Sequence, residues 1–174
     1  MAEAVSRPDE LARALAGGPA GQTTYHQSPE LTVQRIVWPN GVITPPHEHR
    51  MWAVVGVFRG QEDNELWRRT PIGLERCGGT EVGAGEVIVL GPEAVHAVSN
   101  PRRYSTIGLH VYGGDILTTP RSEWDLAGDR EHLFDLAAVN DFITRMQKIT
   151  AERGREPDFD EVRQTCLSFY GVGR

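Results

Sequence analysis

The chemistry this chain offers starts from two histidines, His47 and His49, one residue apart directly after Pro45-Pro46. On a strand, side chains alternate faces, so His47 and His49 point one way while Glu48 and Arg50 point the other. Two imidazoles a strand step apart can bind one metal ion together. Pro45-Pro46 stiffens the entry and removes backbone donors, which suits a strand beginning at a rim. A third ligand must come from another strand. His96, after the Gly91-Pro92 turn, is one candidate; "STIGLHVYGG" offers His110, with Tyr112 on its face by the same alternation. An HxH pair alone also arises in turns and cores. His26 and His132 read as solvated or hydrogen-bonded residues.

Imidazoles from separate segments meet only if a sheet holds them. From about Tyr25 to about Gly114 the chain supplies one, in short runs such as "LTVQRIVW", "MWAVVGVF", "EVIVL" and "STIGLHVY" broken by Gly, Pro and Asn. That rhythm predicts antiparallel β structure in a sandwich or small barrel. Upstream, Ser6-Arg7-Pro8-Asp9 opens like a capped helix that Gly17-Gly18-Pro19 stops. After Arg121 the period changes: Leu133, Leu136, Ala137, Ile143, Met146 and Ile149 repeat at helical spacing between Gly128 and Gly154. Asp158 is placed to cap a last helix carrying Phe159, Val162 and Phe169. The expectation is a mainly β fold, one domain over 1–174. Residues 1–24 form an N-terminal helix and lead-in, 25–120 a barrel with the metal site, and 121–174 a helical segment packed on the barrel or on a neighbouring subunit.

Composition narrows the function classes. With 174 residues the chain suits a single core. A net charge of -6 with no basic stretch argues against nucleic-acid binding. Cys77 and Cys166 lie far apart without a CxxC partner, as expected of reduced intracellular thiols. No apolar run approaches a membrane span and the N-terminus lacks a signal-peptide core, so a cytoplasmic, non-membrane protein is expected.

The pattern around the histidines resembles the cupin superfamily, whose barrel is a double-stranded β-helix, or jelly roll. Gly41, five residues, then His47-Glu48-His49 matches the start of the first cupin motif. Gly85, Gly91-Pro92, His96 and Asn100 match the second, with Pro92 shifted by one. Metal ligation by His47, His49 and His96 is what the resemblance implies. The glutamate that usually follows in the first motif falls at Ala53 or Val54, so the fourth, anionic ligand is missing. A divalent ion there keeps its full charge, favours an anionic incoming ligand and lowers the pKa of a bound thiol or water.

Within cupins, this departure is similar to the thiol dioxygenases, the group of cysteine dioxygenase and 3-mercaptopropionate dioxygenase. That likeness implies one Fe(II) on three histidines, a small thiol and O2 as reactants, and a sulfinate product. "GLHVY" stands where the group carries Ser-x-His-x-Tyr, which implies that Tyr112 hydrogen-bonds the reactants and His110 orients Tyr112; His110 as a fourth ligand stays open. The serine is Gly108 here, and Thr106 lies on the same face one step earlier. No cysteine is available for a Cys–Tyr cross-link, and Cys77 is remote. Where the group clamps the substrate carboxylate, this chain offers Gln22 and no arginine. Arg35, Arg50 and Arg59 read as solvated, and Trp38 and Trp52 as packing residues. Two alternatives remain: a cupin oxygenase acting on a non-thiol small molecule, and a non-catalytic metal- or ligand-binding cupin. Three histidines also suit zinc or nickel, and the late helices leave room for a homodimer.

Overall fold

The structure is a computed structural model and describes residues 8–15, 21–155 and 157–171. Two antiparallel sheets form the body. The strands are β1 (Gly21–Gln27), β2 (Thr32–Trp38), β3 (His47–Glu48), β4 (Ala53–Arg59), β5 (Gln61–Thr70), β6 (Gly73–Gly83), β7 (Val87–Leu90), β8 (Val95–Ser99), β9 (Thr106–Tyr112), β10 (Ser122–Trp124) and β11 (Glu131–Leu133). One sheet runs β1-β2-β9-β4-β7 and the other β11-β10-β3-β8-β5-β6. Sequence neighbours alternate between the sheets along β2-β3-β4-β5, the jelly-roll habit of winding two sheets together. Helix α1 (Pro8–Leu15) precedes the barrel, and α2 (Leu136–Arg153) and α3 (Phe159–Gly171) follow it. The expected Ser6 cap and the Gly17-Gly18-Pro19 stop lie outside the described residues.

The segment after residue 120, expected to be helical throughout, first adds β10 and β11. Strand β10 pairs with β3 through Glu123 opposite His47, so this stretch builds the barrel wall beside the histidines. Its few residues are too short to show a period of their own. The barrel strands also begin at Gly21 rather than Tyr25.

The two late helices have well-defined ends. Asp135 Oδ1 accepts from the Ala138 amide at 3.0 Å, and Gly154 closes α2 in a left-handed conformation (φ 63°). At α3, Asp158 Oδ1 accepts from the Glu161 amide while Glu161 Oε2 accepts from the Asp158 amide, a reciprocal capping box. Phe142 and Met146 of α2 bury with Val162 and Cys166 of α3 against Val42, so both helices pack on the barrel. Gly41 permits this docking. Its φ is +72°, and a Cβ there would stand 2.5 Å from the Phe159 carbonyl oxygen. On the outer face, Leu15 of α1 packs on Val37, Phe58 and Ile107. Arg35, expected to be solvated, shares that face of β2 and is 1% exposed; Arg59 is exposed and Arg50 half-exposed. Among the described residues, no helix is long and apolar enough to cross a membrane.

Candidate metal centre

The register of β3 against β8 places His47 directly opposite His96. Cross-strand neighbours stand about 5 Å apart at Cβ, and these rings are 4.6 Å apart between centroids. His49 follows just past the end of β3, with its centroid 5.4 Å from that of His47 and 4.9 Å from that of His96. The chain turns away at Arg50, which has a left-handed backbone (φ 57°). One ligand atom from each of the three rings lies within 4.8 Å of the others, and His49 Nε2 is 3.3 Å from His96 Nε2.

Two of the rings are held from behind. His47 Nδ1 lies 3.0 Å from the Pro45 carbonyl, and His96 Nδ1 lies 2.8 Å from Asn64 Oδ1 on β5. A carbonyl oxygen only accepts, so the Pro45 contact makes Nδ1–H the donor and leaves Nε2 of His47 with a lone pair. Asn64 does the same for His96. Burial, above all, pushes the ring pKa values down: His47 to about 4, His49 and His96 well below the ordinary value, with neighbouring imidazoles adding to the effect. The three rings are therefore neutral at pH 7, the state that binds a cation. These donors fit a divalent ion of the first transition row. Neither supporting acceptor has a signal in the sequence, because each is found only when β5 and the Pro45 turn come against the histidines.

Among the described residues no carboxylate joins the cluster. Glu48 points away, as alternation requires. It accepts from Arg50 Nε (2.7 Å), from the Ser122 amide (3.0 Å) and from Arg69, and so ties β3 to β10. Ala53, at the place of the expected glutamate, is fully buried opposite Tyr112.

Tyr112 and His110 come from β9 in the facing sheet. The Tyr112 ring meets the His49 ring edge-on at 5.1 Å, and its hydroxyl is 3.4 Å from His110 Nδ1. Burial, with the Glu62 charge nearby, pushes the Tyr112 phenol well up, so it stays protonated. His110 stands outside the three-ring cluster. Its Nε2 lies 3.1 Å from Glu62 Oε1, which also accepts from Trp38 Nε1 at 2.7 Å. Thr106 does not take the place of the missing serine. Its hydroxyl accepts from the Gln61 amide and donates to the Gln61 carbonyl, both at 2.9 Å.

The cavity in front of the cluster encloses about 90 Å³ and is walled mainly by apolar groups such as Ile36, Val98, Ile116 and Phe134. Gln22 reaches this lining from β1. Arg121, missed in the sequence because its segment read as the onset of a helix, reaches it as well. The Arg121 guanidinium stacks 3.7 Å over Phe134, and Nη1 donates to the Ile116 carbonyl at 2.6 Å. Its Nε is buried without a hydrogen-bond partner, and the charges of Glu123, which borders the same cavity, and Glu48 lie near enough to favour its charged form.

No protein-family model matches the chain. Solved structures do resemble it. A Bacillus halodurans protein aligns over 62% of this chain and 76% of its own, with 17% identity and a TM-score of 0.52. The two interwound sheets, with the histidines on β3 and β8 and the β9 pair facing them, decide the architecture. The fold is a cupin jelly roll. Two cupin-type structures align over shorter or looser paths. One is an RmlC-like cupin from Methanocaldococcus jannaschii (12% identity, 55% of this chain and 82% of that one, TM-score 0.45). The other is a double-stranded β-helix protein from Klebsiella pneumoniae (16%, 62% and 82%, TM-score 0.46). Identities this low speak for the fold alone. Asn100, the end of the second cupin motif, has a structural task. It is fully buried, its Nδ2 donates to the carbonyls of Trp38, Pro39 and Tyr104, and its Oδ1 accepts from the Arg102 amide.

Proposed function

We propose that this cupin is a mononuclear iron dioxygenase that converts a small carboxylate-bearing thiol and O2 to the sulfinate. The observation that carries the reading is a cluster of three neutral imidazoles without a carboxylate, facing Tyr112 across a small cavity. His47, His49 and His96 would hold the ion. Fe(II) held there would supply the redox chemistry that joins a thiolate to both atoms of O2.

The chain's own residues do the rest. Arg121 offers a buried guanidinium to an anionic group entering the cavity, a role the sequence resemblance assigned to the region of Gln22. Gln22 borders the same space and adds an amide. Ile36, Val98 and Phe134 keep water out and fit the carbon chain of a short substrate. Tyr112 keeps its proton and turns its phenolic oxygen toward the reactants from the facing sheet.

Oxygen uptake by the iron-loaded protein tests this, with cysteine, 3-mercaptopropionate, cysteamine and a carboxylate-free thiol compared. Uptake with the two carboxylate-bearing thiols, one O2 per sulfinate formed, is the expected result. No uptake with any thiol, while iron is bound, ends the reading in favour of another substrate or a binding role.

A further inference from the structure

Glu62 is the acidic side chain that no sequence motif pointed to, and it is fully buried within reach of both sheets. We propose that Glu62 sets the direction of the Tyr112–His110 hydrogen bond by holding His110 in the Nε2–H tautomer. It is a positioning residue, replacing the serine absent at Gly108. The inference deepens the reading of Tyr112 as the phenol facing the reactants and rests on it.

Hydrogen-bond valence carries the argument. An indole N–H can only donate, so Trp38 makes Glu62 Oε1 an acceptor whatever the protonation of the carboxyl group. The same Oε1 faces His110 Nε2 at 3.1 Å, and a carboxylate oxygen only accepts, so the proposed arrangement puts hydrogen on that nitrogen. In a neutral imidazole the other nitrogen then has the lone pair, and Nδ1 accepts from the Tyr112 hydroxyl at 3.4 Å. The relay runs one way, from Tyr112 to His110 to Glu62. The phenolic lone pairs, and not its proton, are turned away from His110.

Two neighbours make the arrangement possible. Gly108 leaves the needed space: a Cβ there would stand 3.1 Å from His110 Nε2 and 3.2 Å from Glu62 Oε1. Thr106 clamps the backbone of Gln61, the residue before Glu62, with two 2.9 Å bonds. Serine at 108 and glutamate at 62 thus compete for one volume, which is a physical reason for the glycine.

The test is nitrogen NMR of the metal-free protein labelled with 15N-histidine at pH 7.5, the His110 signals being assigned by their loss in His110→Gln. The wild type is expected to show Nε2 protonated and Nδ1 unprotonated. Glu62→Leu, with its fold checked by the remaining histidine signals, should lose that preference and populate Nδ1–H. Glu62→Gln, whose amide oxygen can still accept, should keep the tautomer. In the iron-loaded protein folded Glu62→Leu should lower kcat about tenfold to a hundredfold with KM within about twofold. An Nδ1–H tautomer in the wild type overturns the proposal, whether or not the leucine variant folds. So does an unchanged Nε2–H tautomer in folded Glu62→Leu. The tautomer is read without metal or turnover, so an inactive protein with the expected tautomer refutes the dioxygenase reading and leaves the relay standing.

Discussion

His47 and His96 sit directly opposite one another across the β3–β8 pair, and their ring centroids are 4.6 Å apart. Residues 49 positions apart in the chain thereby become one ligand pair, and the chain returns His49 to the same place by a single strand step. Their rings are aimed by two acceptors of different kinds, a main-chain carbonyl at Pro45 and the Asn64 amide.

Metal binding should follow this division. His47→Ala and His96→Ala are expected to lose most bound metal, whereas His110→Ala retains it and loses turnover. Asn64→Leu, which frees the His96 ring, should weaken affinity about tenfold to a hundredfold. Metal analysis after dialysis against a graded chelator reads all four. Loss of metal in His110→Ala to the extent seen in His96→Ala would make His110 a ligand.

Arg121 should set selectivity among substrates. Removing a charge-assisted hydrogen bond costs about 1.5–3 kcal/mol, so Arg121→Leu should raise KM for carboxylate-bearing thiols roughly tenfold to a hundredfold. Cysteamine should be unaffected, and so should metal content. Steady-state oxygen uptake separates the two substrates; an equal change in both would remove the carboxylate from the account.

Stability of the metal-free protein should depend on pH through the buried imidazoles. In the folded chain His47 titrates at about 4, against an ordinary value of 6.5. Above pH 6.5 neither state binds this proton and stability is at its plateau. Below it the unfolded chain takes up protons that the folded chain refuses, so stability falls down to about pH 4. The loss from His47 alone is on the order of 2 kcal/mol between pH 6.5 and 4.5, and His49 and His96 add to it. Urea unfolding at several pH values checks the slope, and bound metal should steepen it because ligation needs neutral rings.

The two cysteines should react very differently. Cys77 is exposed on β6, while Cys166 is fully buried in the α2–α3 core, where burial pushes its thiol up to about 11. One thiol per chain should react with a disulfide reagent in the native protein and two in denaturant. Fast reaction of both without denaturant would mean that α3 leaves the barrel readily.

The sequence by itself determined what depends on neighbours in the chain. The alternation within β2, β4 and β9, the HxH step at His47, the Gly-Pro turn before His96 and the Asp158 cap are local rules of backbone geometry, and they appear in the structure where the residues predicted them. Gly41 and Asn100 were legible as motif positions. Their tasks, a close approach to Phe159 and a buried bridge among three carbonyls, were not. Tertiary structure alone decided the rest. The β3–β8 register makes two histidines neighbours, the β4–β5 turn carries Glu62 to Trp38 and His110, and β10 brings Arg121 to the cavity. It also buried Arg35, which composition suggested would be solvated. The physical reason is the same in each case: strand pairing joins residues far apart in sequence, and no local period encodes which strand lies beside which.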